Sequence, residues 1–160
     1  MSQNGIASLS SEENKSNKEW EKLESRIKNG GGWFFWIAGL SIINSIIYLA
    51  GSDLTFIIGL GITQVIDGMA SVATGQGKAI AFVITLIIAA VFVTLGIYSR
   101  KKKNWAFILG IVLYSFDALL FLIAQDWLSI GFHIFALVFI VMATIACFRS
   151  NNMGQVNQGL

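Results

Sequence analysis

The chain is predicted to be all-α: a polytopic membrane helix bundle with four transmembrane helices and a Gly-rich re-entrant or interfacial segment. Three observations lead there. Hydrophobic residues make up 55% of the 160 positions and charged residues 12%, about half the usual share of charge in a soluble domain. Mean hydropathy is +0.69 and proline is absent. The charge is also segregated, with Glu12, Glu13, Lys15, Lys18, Glu19, Glu21, Lys22, Glu24, Arg26 and Lys28 all lying before residue 30.

The elements follow in order. Residues 1–30 read as a cytoplasmic tail with a short amphipathic helix. Ser10 and Glu13 have the spacing of a capping box, Glu24 and Lys28 that of an i,i+4 ion pair, and Gly30, Gly31 and Gly32 are expected to end the helix. Trp20, Leu23 and Ile27 form an apolar stripe that either rests on lipid headgroups or docks a partner helix. Residues 31–148 form the transmembrane bundle, and 149–160 are expected to be a disordered cytoplasmic tail. Within the bundle, Trp33–Ala50, Ala79–Ser99, Trp105–Ala124 and Leu128–Cys147 come close to the about 20 apolar residues of a helical crossing.

The remaining stretch, Leu54–Val72, is apolar but carries Gly59, Gly61, Thr63, Gln64 and Asp67. Loop charge decides how it runs, because cytoplasmic loops collect Lys and Arg. If it does not cross, five basic residues of the N-terminal tail, four of Arg100–Lys103 and Arg149 share one side, against Lys78 on the other. If it crosses, the split falls to six against five. The first topology puts both termini in the cytoplasm of a multi-pass cell-membrane protein. Trp33, Trp36, Tyr98 and Trp105 then lie at the inner interface and Tyr48 and Trp127 at the outer one, as aromatic belts do.

Polar residues inside spans mark the candidate site, since an ionisable side chain in lipid is costly. Asp117 lies about 10 Å from the outer end of its helix and His133 about 7.5 Å down the next, at 1.5 Å per residue. The tight "QDW" connection makes these helices antiparallel neighbours, so the carboxylate and imidazole are expected to meet. Tyr114 shares the face of Asp117, and Asn44 of the first span lies at similar depth. Asp67 and Gln64 would approach from outside, making the glycine-rich stretch a lid or floor over one polar layer: Asn44, Asp67, Tyr114, Asp117 and His133. Ser41, Ser45 and Thr85 read as interhelical glue rather than site.

Several chemistries are excluded. "GLGITQ" lacks the third glycine of a dinucleotide fingerprint, and "TGQGKA" lacks the first glycine and the Ser/Thr of a P-loop. HExxH and GxSxG are absent. One histidine and one cysteine, Cys147, make no metal centre or intrachain disulfide. No cofactor, catalytic residue or nucleic-acid partner is indicated. The expected partners are the lipid bilayer and a homo-oligomer or larger membrane complex. The leading expectation is a non-enzymatic accessory subunit or a small proton- or solute-translocating unit. An intramembrane enzyme using Asp117 and His133, or a scaffold, is the alternative.

Overall fold

A computed structural model describes residues 3–51, 59–71 and 76–158. They form α1 (Gln3–Leu49), α2 (Gly61–Ser71), α3 (Gln76–Arg100), α4 (Asn104–Ile123) and α5 (Trp127–Gln158), with no strand among the described residues. Four of these, all but α2, are long and apolar enough to cross a membrane. The chain is a membrane-embedded helix bundle.

The two tight connections share one device. After α4, the Asp126 N–H donates to Phe121 O at 3.0 Å and the Gln125 N–H to Leu122 O at 3.2 Å. After α3, the Lys103 N–H reaches Tyr98 O at 3.1 Å and the Lys102 N–H reaches Ser99 O at 3.0 Å. Both are Schellman closures, which need a residue in the left-handed region. Here Gln125 (φ 58°) and Lys102 (φ 60°) take that conformation in place of glycine. Asp126 then caps α5, its carboxylate accepting from the Ser129 N–H at 3.2 Å and from the Ser129 hydroxyl.

The N-terminal tail departs from expectation. α1 is one unbroken helix of 47 residues; it begins at Gln3, ahead of Ser10, and passes through Gly30–Gly32 without ending. The glycines serve packing instead. A Cβ on Gly30 would overlap that of Ala143, and one on Gly31 would lie 2.7 Å from the Ser99 hydroxyl oxygen. Small residues let α1 approach α5 and α3 closely, and without proline nothing breaks the helix.

The stripe of Leu23 and Ile27 is likewise turned inward, in one buried cluster with Ala146 and Cys147 of α5. It rests on this chain rather than on headgroups or a partner helix. The expected pair of Lys28 and Glu24 forms at 3.0 Å. The 149–160 tail, expected to be disordered, continues α5 as helix to Gln158. Asn151 anchors it by donating to Lys102 O and Asn104 Oδ1, both at 3.0 Å.

Midway through the bundle, Phe34, Phe92 and Phe107 are buried together, with Phe34 centred 6.3 and 6.2 Å from the other two rings. Gly110 makes room, since a Cβ there would strike the Phe34 ring. α2 has 11 residues, about 16 Å of helix against the about 30 Å of a hydrocarbon core. It packs on α1, α3 and α4, burying Gly61, Thr63, Asp67 and Ala70 and turning Ile62, Val65 and Met69 outward.

Candidate functional site

A helix start has unpaired N–H groups, and burying one without acceptors is expensive. The start of α2 is buried: Leu60 and Thr63 are fully shielded. Its donors are met by side chains of the long helices. The Leu60 N–H donates to the Ser41 hydroxyl at 2.9 Å, and that hydroxyl donates onward to Ile37 O at 2.8 Å. The Gly61 N–H donates to Asp117 Oδ2 at 2.8 Å and the Ile62 N–H to Asp117 Oδ1 at 2.9 Å. Asp117 is therefore the N-terminal cap of α2, supplied by another helix. A carboxylate is favoured there by the partial positive charge of the helix start.

Two glycines permit this approach. A Cβ on Gly61 would lie 2.8 Å from the Phe121 ring, and one on Gly59 would overlap the Asn44 amide. Asn44 is buried at this point. The glycine-rich character of the segment is thus partly a matter of space for other side chains.

His133 completes the arrangement. Its Nδ1 lies 2.8 Å from Ser129 O and its Nε2 lies 3.0 Å from Asp117 Oδ2. A carbonyl only accepts, so Nδ1 carries a proton. The Nε2–Oδ2 contact then needs one further proton between its two atoms. The pair is either imidazolium with carboxylate or imidazole with carboxylic acid, and both forms are neutral overall. That neutrality limits the cost of burying it. Tyr114 stacks on the imidazole at 4.3 Å and 19°, and Phe121 covers it at 4.9 Å.

Asp67 lies elsewhere. It accepts from the Ser45 hydroxyl at 2.7 Å, and Ser45 Oγ is 3.1 Å from Thr85 Oγ1. Ser45 has one proton and gives it to Asp67, so Thr85 donates in the second contact. Six residues separate Asp67 from Gly61, about 9 Å along α2. The single layer expected around Asp117 is therefore two clusters, one at the start of α2 and one along its second turn. Tyr114, Asp117 and His133 meet in the first, with Asn44 beside its approach. Asp67 belongs to the second, and half-buried Gln64 joins neither among the described residues.

Of Ser41, Ser45 and Thr85, read from sequence as glue, the first two bond to the start of α2 and to Asp67, and Thr85 bonds to Ser45. The backbone donors of Leu60, Gly61 and Ile62 had no signal of their own. No group of His, Cys, Asp and Glu among the described residues could hold a metal ion. No protein-family model, curated protein or solved structure matches the chain.

Proposed function

We propose that the chain is a non-enzymatic component of the cell membrane, an accessory subunit in a homo-oligomer or larger membrane complex. In this reading both termini are cytoplasmic and α2 belongs to a re-entrant segment that enters from the outer side. The observation that carries it is how the polar groups of the spans are used. Asp117 and Ser41 accept from the backbone at the start of α2, Ser45 donates to Asp67 of α2, and Thr85 bonds to Ser45 behind it. Toward the other face from Asp117 the interior is aromatic and aliphatic, with Phe34, Phe92, Phe107 and Ile140 buried. The hydroxyls of Ser99 and Thr144 turn back to their own helix, at 3.0 and 2.8 Å from Gly96 O and Ile140 O. Among the described residues no polar path continues from Asp117 through that layer. A positioned short helix, not a conduit, is what these groups support.

The enzyme reading fares worse for a specific reason. Both nitrogens of His133 are occupied, by Ser129 O and Asp117, so neither is free to act as a base toward a substrate. The proton-translocating reading keeps one supporting observation, the buried contact of Asp117 with His133 at 3.0 Å.

Proteoliposomes loaded with a pH-sensitive dye separate the two. The accessory reading expects proton permeability equal to that of empty liposomes, with and without an imposed potential. Asp117→Asn leaves that permeability unchanged but removes the carboxylate from three bonds, costing about 2–4 kcal/mol of stability. Flux above the empty-liposome rate that Asp117→Asn abolishes would replace this reading with translocation.

A further inference from the structure

At the end of the bundle away from α2, one face of α1 changes character. Lys15, Lys18, Lys22 and Arg26 line a groove together with Glu19 and with Arg149 of α5, which pairs with Glu19 at 3.5 Å. Farther along the same face, a cleft of about 510 Å³ is bounded by Lys28, Asn29 and Arg100 and by Trp33, Trp36 and Leu40, with Phe132 of α5 contributing to it. From Lys28 to Leu40 the helix rises about 18 Å. The cleft therefore has the Arg100 guanidinium at one end, beside the Glu24-paired Lys28, and an aromatic and aliphatic wall reaching well into the bundle's membrane-spanning length. Trp36 is 67% exposed on that wall.

Arg100 is the distinctive member. Its guanidinium lies 4.8 Å over the Phe35 ring, with no carboxylate in ion-pair range among the described residues. Gly32 keeps the space before it open, since a Cβ there would stand 3.3 Å from Arg100 Nη2. An unpaired guanidinium at the edge of a membrane span calls for an anion, and its fork suits a phosphate. A soluble anion has no use for the adjoining tryptophan wall, and a zwitterionic lipid brings no net charge to the cation. We propose that this cleft binds one anionic phospholipid, its phosphate on Arg100 and an acyl chain along Trp33, Trp36 and Leu40.

Native mass spectrometry of the full chain in detergent tests it directly. The protein is mixed with equimolar phosphatidylglycerol and phosphatidylcholine of the same chain length. Phosphatidylglycerol adducts are expected to outnumber phosphatidylcholine adducts at least about fivefold, the effect of one basic residue at a membrane surface. Arg100→Gln should cut that ratio about fivefold, while Lys103→Gln, outside the cleft, leaves it unchanged. Trp36→Ala, at an exposed position the fold does not need, should lower phosphatidylglycerol retention severalfold and so carries the test if Arg100→Gln fails to fold. Equal adducts of the two lipids overturn the proposal, as does a ratio indifferent to Arg100→Gln or retention indifferent to Trp36→Ala. Displacement of the lipid by excess glycerol phosphate would assign Arg100 to a soluble phosphate instead, and would equally overturn it.

Discussion

Asp117 shows what one carboxyl group accomplishes when three hydrogen-bonding partners converge on it from two elements. Two are backbone N–H groups of α2 and the third is the His133 ring. The meeting of Asp117 and His133 was legible from their depths and the short turn between their helices. The backbone donors were not, because every residue type has the same N–H and only the fold decides which go unpaired. Asp126, a few residues on, offers a cleaner titration because it lies in the turn between spans. The Ser129 hydroxyl and N–H hold its carboxyl below the usual range. A pKa lowered by folding adds stability that is full above the unfolded value, about 3.9, and is lost as pH falls through the folded value. Asp126→Asn keeps a capping side chain but removes the titration. Its thermal midpoint between pH 5 and pH 2 should fall less steeply than that of the unaltered protein, and equal slopes would exclude Asp126 as a contributor.

At the scale of elements, the long apolar helices were plain in the sequence because about 20 apolar residues have few other uses. The glycines were misread for an equally physical reason. Gly disfavours helix in isolation, yet Gly30 and Gly31 stand where α1 presses on α5 and α3, and close packing outweighs propensity there. Gly39 lies in the same helix with nothing within 4 Å of a built Cβ. Gly39→Ala should therefore be neutral or stabilise by up to about 1 kcal/mol. Gly30→Ala must displace Ala143 and the Phe139 carbonyl region and should cost about 1–3 kcal/mol. Thermal unfolding of the two variants in one detergent checks the contrast, and equal effects would mean that α1 and α5 do not pack at Gly30. The inward turn of Leu23 and Ile27 was hidden similarly: an apolar stripe shows that a surface is covered, but not by what.

For the whole molecule, the central feature is the segment between α1 and α3. In the proposed topology this segment, whose short helix starts against Asp117, returns to the side from which it came. Charge bias favours that topology, ten basic residues against one, and the 11 residues of α2 make about half the length of a crossing. The most direct measurement uses single cysteines at Glu12, Ala50, Gln76 and Lys103 in a Cys147→Ser background, labelled in intact cells with a membrane-impermeant thiol reagent. α1 lies between the first two positions and α3 between the last two, so the comparison of 50 with 76 reads the intervening segment alone. Labelling at 50 and 76, with protection at 12 and 103 until the membrane is permeabilised, is the predicted result. Labels at 50 and 76 on opposite sides would make the segment a fifth crossing, and the capped re-entrant helix could not stand.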